Sequence, residues 1–148
     1  MTSHPSRTSA ALVAAVLATV ALAAGCAPST SNSSNSTSKF SGDARQVAQT
    51  VEDLQAAAKD GGDNNNNKIC RQLLSSSFAG QLAAHGRSCP DAVDAAVNDA
   101  DTIDMTVEKV DVISGKATAR VKLETGKNDR TATFQLVREN GRWKIQSL

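Results

Sequence analysis

The stretch from Ile103 to Ile145, IDMTVEKVDVISGKATARVKLETGKNDRTATFQLVRENGRWKI, decides the fold of this chain. Ile103, Met105 and Val107 alternate with polar residues, the phase slips by one at Glu108-Lys109, and Val110 and Val112 resume it. Period-two apolar spacing belongs to a strand with one buried face, and a slip of one residue is what a bulge or bend produces. Ser114-Gly115 marks a tight turn, after which Ala117, Ala119, Val121 and Leu123 define a second strand. Gly126 to Asp129 supplies the next turn and Ala132, Phe134 and Leu136 a third strand. Asn140-Gly141, ahead of a fourth strand with Trp143 and Ile145, is the strongest hairpin signal in the chain, because a type I′ turn needs positive φ at both central residues.

Upstream the period changes to three and four. Ala44, Val47, Ala48, Val51, Leu54 and Ala58 form the stripe of an amphipathic helix of about four turns. Ser41 is placed to cap it, and Asp60-Gly61-Gly62 to end it. The run from Asp60 to Asn67 is expected to be a solvated connection, with Asn67 capping a second helix that carries Ile69, Cys70, Leu73 and Leu74 and continues through Phe78 and Leu82. Its side-chain oxygens suit a hard cation, but it lacks the acid spacing and closing Glu of an EF-hand loop, so no metal site is expected. Ser88-Cys89-Pro90-Asp91 opens a third helix: a hydroxyl cap, proline where no amide hydrogen is needed, and an acid facing the dipole. Ala92, Val93, Ala96 and Val97 are expected to give that helix its buried face. Three helices followed by four closely connected strands predict an α+β domain, N-terminal helices packed on a curved four-stranded antiparallel sheet.

This order, closed by Phe134-x-Leu136-Val137-x-x-x-Gly141-x-Trp143-x-Ile145, resembles the cone-shaped, cystatin-like fold of the nuclear transport factor and ketosteroid isomerase superfamily. More narrowly it is similar to small lipoproteins of actinobacterial envelopes that carry this domain, over residues 40–148. The superfamily includes isomerases, dehydratases and non-enzymes, so fold alone does not choose a function. The resemblance implies a cone interior able to hold a small apolar or lipid-like ligand, with Met105, Phe134, Leu136 and Trp143 as lining. Isomerases of this kind pair a carboxylate base with a tyrosine-containing oxyanion hole. The chain has no tyrosine, Asp104 alternates with Ile103 and Met105 and should face away from them, and His85 lies in a polar stretch. The expectation is a binding module with no catalytic residue and no cofactor.

The N-terminal segment points to a compartment. Arg7 precedes the apolar stretch AALVAAVLATVALAA, Ala10 to Ala24, which as a helix would span about 22 Å against the roughly 30 Å of a hydrocarbon core. That length fits the apolar region of a signal peptide. Ala23-Ala24-Gly25-Cys26 resembles the bacterial lipobox, although the usual Leu stands one place early at Leu22. The resemblance implies cleavage after residues 1–25 and lipid attachment at Cys26 through a diacylglycerol thioether carrying palmitate-type chains. Two such chains suffice for stable anchoring, where one holds only marginally. Residues 26–39 continue the anchor as a Ser/Thr/Asn-rich linker with no sizeable apolar group, holding the domain about 20 Å from the bilayer as a flexible coil. The expected location is the extracytoplasmic face of a cell membrane. In that oxidising setting Cys70 and Cys89 read as a disulfide. A metal pair or a catalytic thiol are the alternatives, with no Cys-x-x-Cys and only His85 nearby.

Charge excludes one partner class. The net charge is +1, too balanced for a nucleic-acid binder. The helical half is acidic and the sheet half basic, with Lys116, Arg120 and Lys122 on one strand face and Arg142 and Lys144 nearby. A basic sheet face offers the alternative function, an accessory subunit that docks on another protein of the cell envelope.

Overall fold

The computed structural model describes residues 37–84, 86–98, 104–125 and 128–148. Cys26, the leader, most of the linker, His85, Ile103 and Gly126 lie outside the described residues.

A short 3-10 turn, Thr37–Lys39, leads into helix α1, Gly42–Asp60. Its stripe buries Val47, Ala48, Val51, Leu54 and Ala57. Ser41 holds the N-cap position in an extended conformation, but its side chain makes no capping bond. Its carbonyl instead accepts from Arg45 N at 3.3 Å, and Asp43 supplies the acid that the helix dipole favours. At the other end Gly61 takes φ +58° and donates its N–H to Ala57 O, the left-handed exit the Gly-Gly pair predicted.

The asparagine run is not a loop. Helix α2, Gly62–Lys68, runs through it. Asn65 Nδ2 and Asn67 Nδ2 each donate to a carbonyl four residues back, Gly61 O and Asp63 O, both at 2.8 Å. Asn66 is buried and donates to Asp94 Oδ1 at 3.0 Å. These bonds use the side-chain groups that would otherwise compete with the helix backbone, so the tract is helical against its propensity. A π-helical turn, Ile69–Leu73, follows, closed by Leu74 N donating to Ile69 O at 2.9 Å.

The second helix expected through Phe78 and Leu82 is cut at Leu74-Ser75. Leu74 forms a parallel bridge with Ile145, and Ser75 N donates to Ile145 O at 2.8 Å. Ser75 Oγ then accepts from Phe78 N at 3.1 Å and starts a new helix, α3, Ser76–Ala83. Tertiary pairing with the sheet thus overrides local helical continuity. Helix α4, Cys89–Asn98, begins as the sequence indicates, with Asp91 N donating to Ser88 Oγ and Ser88 N donating to Asp91 Oδ2, both 3.3 Å.

The sheet is an antiparallel meander in the order β1, Asp104–Ile113; β2, Lys116–Thr125; β3, Asn128–Glu139; β4, Arg142–Ser147. The register of β1 on β2 shifts between Val107 and Lys109, where the sequence phase slips. Asn140 and Gly141 have φ of 51° and 78°, the left-handed pair that a type I′ turn requires. Val107, Ala119, Val121, Phe134, Leu136, Trp143 and Ile145 face the helices and form the core with the α1 stripe, Ile69 and Leu73. Cys70 and Cys89 are bonded, with Cα atoms 6.1 Å apart, and tie the π-turn to the start of α4.

Candidate functional site

Not all of the apolar helical surface enters this core. Val93 is buried, whereas Ala92 and Val97 are only partly covered and Ala96 is exposed. Phe78 and Leu82 on α3 are likewise partly covered. Helices α3 and α4 stand away from the end of α1, and their apolar faces line a cleft of about 590 Å³. Leu54 and Ala58 of α1 form one wall, Ile69 and Leu74 the floor beside the sheet, and Met105 of β1 the far side. Cavities of roughly 300–1,000 Å³ with mostly apolar lining are the usual form of small-molecule sites.

Among the described residues, the polar ones lining the cleft are Gln55 and Lys59. Gln55 is buried; its Oε1 accepts from Met105 N at 2.7 Å and its Nε2 donates to Asp104 Oδ1 at 3.4 Å. Lys59 Nζ also donates to Asp104 Oδ1, and both side chains of that ion pair are about half exposed. Gln55 therefore fixes the start of β1 against α1 and holds the Asp104 carboxylate beside the Lys59 ammonium. One end of the cleft is polar and charge-balanced; the rest is hydrocarbon.

Of the four lining residues expected from the resemblance, Met105 borders the cleft. Phe134, Leu136 and Trp143 are within 3% of full burial in the packed core, and the guanidinium of Arg138 lies 5.9 Å from the Trp143 ring centre. The residues the expectation missed are Gln55 and Lys59. Gln55 carried a signal, because it stands four residues after Val51 and next to Leu54, inside the apolar stripe. A buried polar residue in such a stripe needs a partner.

The basic residues of the sheet are mostly engaged. Arg120 Nε meets Glu108 Oε2 at 3.0 Å, and Lys122 Nζ meets Glu124 Oε1 at 2.6 Å and Asp129 Oδ2 at 2.9 Å. Hydrogen bonds to Asp129 and then Glu124 raise the Lys122 pKa well above the ordinary lysine range. Lys144 Nζ donates to Arg71 O at 2.9 Å. Lys116 and Arg142 are exposed and make no ion pair among the described residues. The face carries acids interleaved with its cations and is not a continuous positive patch. Among the described residues no group of three metal-ligating side chains occurs, and no helix is long and apolar enough to cross a membrane.

No protein-family model and no curated protein matches this chain. Solved structures do. A de novo designed NTF2 fold protein, NT-9, superposes with a TM-score of 0.51 at 17% identity, over 70% of this chain and 84% of that one. TsrD from Streptomyces laurentii aligns with a TM-score of 0.44 at 16% identity, over 70% of this chain and 86% of that one. The likeness to the designed protein shows the fold: helices on a four-stranded antiparallel sheet in the NTF2-like cone arrangement.

Proposed function

We propose that this chain is a lipoprotein anchored on the extracytoplasmic face of a cell membrane, and that its NTF2-like domain is a non-catalytic binding module for a small apolar or lipid-like ligand. The observation that carries the binding reading is the cleft of about 590 Å³ between α1, α3 and α4. An apolar cavity of that size in a small domain leaves hydrophobic surface uncovered, and a ligand that covers it recovers roughly 25 cal/mol per Å² of apolar area. The anchoring reading rests on the apolar run Ala10 to Ala24 and the small residues before Cys26. The non-catalytic reading rests on the polar end of the cleft, where Asp104 is already engaged by Lys59 and Gln55 and no tyrosine exists to complete an oxyanion hole. The interleaved acids on the sheet favour this module over docking through a basic face.

Two experiments test the two halves. Wild-type protein should be membrane-bound without residues 1–25, and the Cys26→Ser protein should keep its leader or be shed; a Cys26→Ser protein still cleaved and membrane-bound would remove the anchor. For the cleft, the full chain carrying Cys26→Ser is titrated with the neutral fluorophore N-phenylnaphthylamine. Ala96→Trp places an indole in the cleft from an exposed helical position, costing the helix only about 0.5 kcal/mol. Saturable fluorescence enhancement with one site per chain, weakened at least tenfold by Ala96→Trp at an unchanged melting temperature, is the expected result. Equal enhancement in both proteins would place the dye elsewhere and reject the cleft.

A further inference from the structure

The cleft's polar end discriminates among ligands. Resting on the binding-module reading above, we infer that the cleft takes a single alkyl chain whose head group is uncharged and hydroxylic, of the monoacylglycerol type, in preference to a fatty-acid carboxylate.

Volume sets the number of chains. The cleft of about 590 Å³ is in the range of sites that hold one small molecule, which suits a single alkyl chain with a small head. Lining sets where each part lies. The hydrocarbon walls come from α3, α4 and the floor at Ile69 and Leu74, while Gln55 and Lys59 stand together on α1. The head group therefore belongs beside Gln55 and Lys59, with Asp104, bonded to both, flanking the lining.

Charge sets what the head can be. Lys59, which lines the cleft end, is ion-paired with Asp104, so the ammonium a head group would meet already has a carboxylate beside it. A carboxylate ligand entering there gains the Lys59 ammonium but meets the Asp104 carboxylate at similar range, and the two contributions largely cancel. It also has no proton to give to Asp104. A hydroxyl has both functions: it accepts from Lys59 Nζ, which carries three donors, and donates to Asp104 Oδ2, which takes no hydrogen bond among the described residues. Gln55 cannot turn to greet a carboxylate, because Met105 N and Asp104 already hold both ends of its amide.

The test displaces N-phenylnaphthylamine from the full chain carrying Cys26→Ser, using monomyristoylglycerol and myristate below their aggregation thresholds at neutral pH. Monomyristoylglycerol is expected to displace the dye at about tenfold lower concentration than myristate. Asp104→Asn removes the negative group while keeping an acceptor for Gln55, so the order should reverse, with myristate now favoured and its displacement weakened by salt. Equal potency of the two ligands in the unmodified protein, or an order that Asp104→Asn leaves unchanged, would overturn the inference while leaving the binding module standing. Absence of displacement by either ligand overturns the inference too, and takes the binding reading with it if the dye itself does not bind.

Discussion

Replacing both Cys70 and Cys89 with Ala is expected to lower the unfolding free energy by about 3 kcal/mol and the melting temperature by on the order of 10 °C. The two residues are 19 apart in sequence, and cross-linking a loop of that size removes conformational freedom mainly from the unfolded chain. The pair matters more here than in a larger protein, because a domain of about 110 residues buries a modest share of its unfolded surface. Both cysteines also pack in the core, so the reduced, unsubstituted protein separates loss of the bond from loss of packing. Urea unfolding of oxidised, reduced and double-Ala proteins measures both. A midpoint that does not move on reduction would show that the loop is already ordered without the bond. Because the bond joins the π-turn that floors the cleft to the helix that walls it, reduction should also weaken dye binding.

Ile145→Ala is the other large effect, at about 3–4 kcal/mol. Ile145 is fully buried, sits opposite Leu136 in the sheet, and bridges to Leu74 across the sheet edge. Its carbonyl accepts from Ser75 N, so this one residue joins the last strand both to the core and to the segment that interrupts the helices. A truncated side chain there leaves a cavity that the sheet and the π-turn cannot both close around. Ile113→Ala is the control: at 75% exposure the same loss of atoms should change stability by no more than about 0.5 kcal/mol. A denaturant midpoint for Ile145→Ala close to that of Ile113→Ala would mean that β4 does not carry the packing described.

The strands were legible because alternation is a local property of the chain. Val107 and Leu123 face the core while Glu108 and Lys122 do not, and the bulge stands where the alternation slips. The helices were legible as apolar stripes but not as boundaries. Nothing local reveals that Asn66 will find Asp94, 28 positions away, and that bond helps turn a tract reading as a loop into a helix. The break at Leu74-Ser75 depends on Ile145, 71 positions further along the chain; the run Ser75-Ser76-Ser77 was its only sequence cue. The cleft was half legible. Ala92, Ala96 and Val97 were recognisable as an apolar face, but whether such a face meets a core or a cavity is decided by how far α4 stands from α1, which no periodicity encodes. The same distance explains why Met105 borders the cleft while Phe134, Leu136 and Trp143 are filled in behind it.

The reading stands on the cleft being occupied in use, and mass spectrometry of the native protein addresses that most directly. The full chain carrying Cys26→Ser, so that no lipid of its own confuses the mass, is purified without detergent from the cells that make it and compared with the same chain bearing Ala96→Trp. The account predicts one noncovalently bound single-chain lipid per protein in the first and a bare protein in the second. A bare protein in both, or the same adduct in both, would contradict it.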